Sequence, residues 1–211
     1  MEREGCYWQG LRLPDGTLLR NGSCGWENFR DTPEKRKELT DQGYYLFTPE
    51  LANAADTISI IHRVWMWRSH DNGKTWQKRQ IDFPMFIPHL AAYGDPIVTH
   101  DGTFISSMWG RFDLETEPRN VSSLALRTTD AGETWSFATI AQAGQAPDDF
   151  EFNETSITQA ANGDLVALIR TTAQHKLWTA ISKDGGRAGR SLEIQGYVDP
   201  LHIWSLPPTA W

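Results

Sequence analysis

The chain has 211 residues, enough for one large domain or two small ones. Its net charge of −7 argues against nonspecific nucleic-acid binding, and no apolar run is long enough to span a bilayer. Two cysteines, Cys6 and Cys24, are too few for a disulfide framework; they could pair in an oxidising compartment or remain reduced thiols.

The opening MEREGCYWQG has no apolar signal core, so a soluble chain is expected, cytoplasmic as it stands or secreted if a leader precedes it. Asn21, Asn120 and Asn153 head N-x-S/T triplets, which matter only in a eukaryotic secretory pathway. DGTLLR, from Asp15, reads as a tight turn leading into a strand, with Arg20 at its end. An insertion follows over about 22–56. Within it TPEKRKELTDQG has helical character, with Thr32 as N-cap and Pro33 in the first turn. HRVWMWRS, from His62, alternates as a strand, with Trp65 and Trp67 on one face and His62, Val64 and Met66 on the other. It runs into SHDNGKTW, a hydrophilic loop that ends on a tryptophan.

The next unit is the best preserved. GDPIVTH is a first strand, Asp101-Gly102 a turn, TFISSMWG a second strand and VSSLALRTT a third. TTDAGETW closes the next turn and SFATIA is the fourth strand. A further unit repeats the order: TSITQA, the turn Asn162-Gly163, DLVALIRT, LWTAIS, then SKDGGRAG. About 60 residues separate Asp71 from Asp130, and Asp101 from Asn162, so two independent markers keep one period. Four-stranded units repeated in this way build a β-propeller. In each loop the hydroxyl residue and the Asp can bond turn amides, and the Gly can take positive φ. The tryptophan then folds back as an apolar plug.

These loops fit S/T-x-D-x-G-x-x-W, and the chain resembles the sialidase (neuraminidase) superfamily, whose six-bladed propellers carry this Asp-box, or bacterial neuraminidase repeat. The resemblance covers most of 8–186 and implies an all-β propeller of which three to four blades are present. FNETSITQAANGDLVALIR is similar to the superfamily segment in which a Glu precedes a strand, a turn and a strand ending in Arg. The resemblance implies that Glu154 is the base for a tyrosine nucleophile. It also implies that Arg170 is one of three arginines gripping the substrate carboxylate. Strand polarity puts both at the rim opposite the boxes. The same logic puts Asp95, Arg111 and Arg20 on that rim. Asp95 is then a candidate acid or substrate contact, and Arg111 a second candidate carboxylate ligand. Each has a plainer reading: an ion pair for Glu154 with Arg170, a partner to Asp113 or Glu115 for Arg111, a turn residue for Asp95. FIPHL departs from the superfamily pattern, because Phe86 stands where its first arginine would be; His89 beside it is ambiguous.

The implied activity is exo-α-sialidase hydrolysis of a sialylated or related acidic glycan, with no metal and no other cofactor. Guanidinium forks suit a carboxylate, and a tyrosine avoids the repulsion an anionic nucleophile would meet. A noncatalytic carbohydrate-binding or interaction propeller is the alternative, and a two-carboxylate glycosidase a third. The expected organisation is a partial propeller over 1–187 and an atypical tail over 188–211. SKDGGRAG breaks off at Gly189, where Trp is due. A slipped reading frame at Ala188 can restore TGG there. The tail is therefore expected to be out of frame, and the nucleophilic tyrosine and remaining arginine to lie in later blades.

Overall fold

The computed structural model describes residues 7–23, 26–44, 46–48, 56–61, 64–81, 91–92, 94–111, 121–142, 151–171, 177–187 and 193–198. In chain order the elements are β1 (Tyr7–Arg12), β2 (Leu18–Ser23), β3 (Trp26–Arg30), α1 (Pro33–Asp41), β4 (Leu46–Phe47), β5 (Thr57–Ile61), β6 (Trp65–Ser69) and β7 (Gln77–Gln80). Then come β8 (Ala91–Ala92), β9 (Ile97–Val98), β10 (Phe104–Arg111), β11 (Val121–Thr128) and β12 (Ser136–Ala141). The last are β13 (Phe152–Gln159), β14 (Leu165–Thr171), β15 (Leu177–Ser182) and β16 (Glu193–Val198). They form three antiparallel blades: β1-β2-β6-β7, then β8 and β9 with β10-β11-β12, then β13-β14-β15-β16. A small sheet, β3-β5-β4, fills the insertion between β2 and β6. This is the partial β-propeller expected from the repeat.

Local chemistry sets the turns. Between first and second strands the closing pairs are Leu13 with Thr17, Thr99 with Thr103 and Ala160 with Asp164. Each loop therefore holds three residues rather than the two expected of an Asp-Gly or Asn-Gly hairpin. The glycine, at φ between +83° and +91°, forms the bulge that such loops require. The acid or amide before it accepts from the amide two residues on, as from Asp15 Oδ1 to Thr17 N at 2.9 Å.

The boxes repeat one network. Ser69 Oγ accepts from Gly73 N at 2.8 Å, and Asp71 accepts from Thr75 N at 2.9 Å and from the Thr75 hydroxyl at 2.7 Å. Thr128 and Asp130 do the same for Gly132 and Thr134. In the third box Gly186 N donates to Ser182 Oγ at 2.9 Å. The Thr75 amide, then the Thr75 and Ser69 hydroxyls, hold the Asp71 carboxyl at about 2, and the Thr99 and Thr103 hydroxyls hold Asp101 at about 2. An unfolded Asp titrates near ~3.9, so these carboxylates stabilise the fold fully above that pH. The contribution is lost as pH falls through the folded value. The urea midpoint should therefore drop as pH is lowered from about 4 to about 2, and less steeply in Asp71→Asn. A flat profile across that window would show that these bonds add nothing.

The insertion extends past the expected limit, because β5 belongs to its sheet. Its helix starts as read: Pro33 opens it and the Lys35 amide donates to Thr32 Oγ1 at 3.2 Å. Leu39, Ile58 and Ile60 form its own small core. Between blades one and two lie Leu19, Met66, Phe104, Met108, Leu124 and Leu126. Between blades two and three lie Ile105, Ala125, Ile140, Phe152, Leu165 and Ile169. Of the atypical tail, 193–198 is described: it is β16, the fourth strand of blade three, with Val198 opposite Leu177.

Candidate functional site

Box loops and first turns share one end of the sheets. Arg12 donates to Asn72 Oδ1 at 2.9 Å, and Thr17 Oγ1 lies 3.2 Å from His70 Nδ1. Leu165 pairs with Ser182 at that end of blade three, and Arg170 pairs with Leu177 at the other. Glu154 and Arg170 therefore sit at the end away from the boxes. They form an ion pair, Arg170 Nη1 to Glu154 Oε2 at 3.2 Å, with the side chains 50% and 30% exposed. A pair this wet contributes about 0–1 kcal/mol, so stability does not require it.

Glu154 is raised by a break in register. Phe152 faces Thr171 and Thr155 faces Ile169, which leaves Asn153 and Glu154 as a bulge in β13. Asn153 Oδ1 accepts from the Glu154 amide at 2.8 Å, and Asn153 O accepts from the Thr155 hydroxyl at 2.8 Å. Bulges re-aim side chains and are common beside active sites.

Blade two also has a break in its first strand, nearer the turn. Its first strand is split into β8, opposite Met108 and Trp109, and β9, opposite Phe104 and Ile105. Asp95 lies in the gap and is exposed. Gly94 beside it presses on blade three: a Cβ there would stand 2.4 Å from Thr155 O and 2.9 Å from Ser107 Oγ. The two broken first strands thus touch, one residue from each carboxylate. Asp95 is carried at mid-strand rather than at the rim.

Behind the contact is a buried hydroxyl seam that sequence reading missed. Ser107 Oγ donates to Thr155 O at 2.5 Å, and Ser123 Oγ lies 2.6 Å from Thr155 Oγ1. The Thr155 hydrogen is committed to Asn153 O, so Ser123 donates. Asn21 Nδ2 donates to Ser106 Oγ at 2.9 Å one interface away. The signal was present: Ser106-Ser107 and Ser122-Ser123 interrupt otherwise apolar strands.

Arg111 ends β10 opposite Val121, and its side chain lies outside the described residues. So do Phe86, His89, His62, Cys6 and Cys24. Arg20 corrects the expectation for it. It sits mid-strand opposite Trp67, with its guanidinium 4.2 Å from the Trp76 ring and 5.6 Å from that of Trp67. Its guanidinium stacks on tryptophan at mid-strand and does not lie at the rim. Among the described residues no three His, Cys, Asp or Glu side chains converge as metal ligands, and no helix is long and apolar enough to cross a membrane.

The model of the BNR repeat-like domain family matches residues 44–200. No curated protein matches. Among solved structures, a protein of unknown function from Dyadobacter fermentans is 26% identical, with a TM-score of 0.63 over 90% of this chain and 50% of its own. The GH93 α-L-arabinofuranosidase of Fusarium graminearum is 18% identical, with a TM-score of 0.52 over 92% of this chain and 47% of its own. The NanB sialidase of Streptococcus pneumoniae is 13% identical, with a TM-score of 0.51 over 92% and 39%. The last two likenesses concern the fold. The chain spans about half the length of the structures it matches, or less.

Proposed function

Because the chain belongs to the BNR repeat-like domain family, we propose that its three blades carry part of the site of a sialidase-type glycoside hydrolase that releases terminal sialic acid. The observation behind the reading is the Glu154–Arg170 pair on its bulge, next to the segment that bears Asp95. In this reading Arg170 and Arg111 grip the carboxylate at the anomeric carbon through bidentate forks. Glu154 takes the proton of a tyrosine supplied by blades beyond these three, and the phenolate attacks the anomeric carbon. Asp95 protonates the departing glycosidic oxygen. Glu154 also neutralises Arg170 until an anionic sugar competes for it.

Titration calorimetry with a sialic-acid analogue tests the site. Arg170→Lys should weaken binding about tenfold, the cost of one charge-assisted hydrogen bond. Glu154→Gln should leave binding equal or tighter, because it frees Arg170, while abolishing turnover in any form with a complete site. The 211-residue chain by itself should not turn over a fluorogenic sialoside. Unchanged affinity in a folded Arg170→Lys protein would reduce the pair to an ordinary ion pair at a strand end.

A further inference from the structure

The three boxes share one backbone as far as their last glycine. Asn72 and Gly73, Ala131 and Gly132, and Gly185 and Gly186 all take positive φ, between +52° and +86°. In each box the opening hydroxyl accepts from the last glycine's amide, at 2.8, 2.9 and 2.9 Å. The third is therefore a box in structure as well as in sequence. Its ring position is Gly189, which has no side chain.

The surroundings of the second and third boxes differ. A Cβ on Gly132 would stand 2.9 Å from Leu19 Cδ1 and 3.2 Å from Met66 Cε, both on the preceding blade. A Cβ on Gly186 would meet only Leu165, of its own blade, within 4 Å. Between the third box and blade two runs an apolar cleft. Its walls include Ala125, Ala138 and Ile140 of blade two and Leu165 and Ala167 of blade three, with the exposed Arg187 at its edge.

These walls are the counterparts of what surrounds Trp135. Phe104, two residues after the turn glycine, meets the Trp135 ring edge-on; its counterpart is Leu165. Met66 pairs with Arg79 across blade one, and the matching pair in blade two is Ala125 with Ala138. Glu133, which Arg68 and Arg79 hold, has Arg187 as its counterpart, so the second interface cannot form the same ionic clasp. Each exchange removes bulk or a tether from the place that Trp135 seals one interface earlier.

We propose that this cleft is the indole seat of the third box, and that its occupant is a tryptophan side chain at position 189 of the same chain, the residue that the slipped reading frame restores there. The chemistry suits a ring. The walls are methyl and branched aliphatic groups, so an indole laid between them gains apolar burial. Arg187 stands at the edge, where a guanidinium can stack on the indole face. Both walls belong to adjacent blades of this structure, so blades added beyond blade one or blade three do not cover the cleft. A ring there ties β12 to β14 and so steadies β13, the strand that carries Glu154.

Thermal unfolding of the 211-residue chain and its Gly189→Trp variant tests the seat. The variant should melt about 5 °C higher, the shift a half-buried ring gives in a chain of this size. Ala138→Met fills the cleft from the other wall, so Gly189→Trp should gain little when added to it. Free indole is the probe that needs no substitution. At about 5 mM it should raise the midpoint of the unsubstituted chain by about 2 °C and leave that of Gly189→Trp unchanged. Near-UV circular dichroism checks that the variants are folded. A Gly189→Trp variant that melts no higher, with no effect of indole on the unsubstituted chain, would overturn the proposal. A gain as large on top of Ala138→Met would put the ring elsewhere and overturn it too. An indole shift without a gain from Gly189→Trp would assign the cleft to a free aromatic molecule and overturn the occupant named here. The seat goes beyond the glycosidase reading, and each can fail without the other: one is read as a melting midpoint, the other as analogue affinity.

Discussion

Trp135→Ala should destabilise the protein by about 3–5 kcal/mol, the cost of truncating a large ring packed on a core. The indole lies edge-on to Phe104, centroids 5.9 Å apart and planes at 87°, and rests on the cluster of Leu19, Met66 and Leu126. Its N–H is buried without a hydrogen-bond partner in the structure, so its contribution is apolar. The loop that carries it is itself pressed on blade one. A Cβ on Gly132 would stand 2.9 Å from Leu19 Cδ1, and Glu133 is held by Arg68 and Arg79. Losing the ring therefore loosens an interface as well as a hairpin. Trp76→Ala is the internal control. That indole bonds Gly73 O at 3.0 Å and lies under Arg20 rather than on that cluster, so its loss should cost clearly less. Equal shifts in urea midpoint for the two variants would contradict the claim that Trp135 seals two blades.

What could be read from the residues depended on how local its cause is. A box needs only its own eight residues: hydroxyl, Asp and Gly satisfy each other within one loop, so SHDNGKTW and TTDAGETW were readable as structure. Short strand-like runs between turns were legible too; SFATIA and LWTAIS form β12 and β15 over those same residues. Features set by residues far away in sequence were not legible. Arg20 looked like a rim residue because its strand was taken to end there, yet pairing with β6 carries that strand on and leaves Arg20 beside Trp67. GDPIVTH looked like one strand, but Gly94 meets the next blade and splits it in two. The bulge under Glu154 has no signature of its own in FNETS, because Ser107 and Ser123, far away in sequence, fix Thr155.

Gly94→Ala isolates that long-range contact, and a loss of about 2–6 kcal/mol is expected. Two costs combine. Gly94 is at φ +87°, where a side chain adds about 1–3 kcal/mol of strain. Its new methyl would also meet Thr155 O at 2.4 Å, and moving packed groups aside costs about 1–3 kcal/mol. Thr155 cannot retreat cheaply, because Ser107 donates to its carbonyl and Ser123 to its hydroxyl, both within the buried seam. Gly163→Ala separates the terms. Gly163 has φ +91° with nothing within 4 Å of the added Cβ, so it reports backbone strain alone. The difference between the two variants is the cost of forcing the first strands apart. The same displacement shifts Asp95 relative to Glu154. Gly94→Ala should therefore weaken binding of a sialic-acid analogue at a temperature where the protein remains folded, and Gly163→Ala, at the opposite end of its blade, should not. Equal stability losses in the two variants would mean that the Gly94–Thr155 approach is not a constraint. Equal affinities would mean that the segment bearing Asp95 takes no part in holding the sugar.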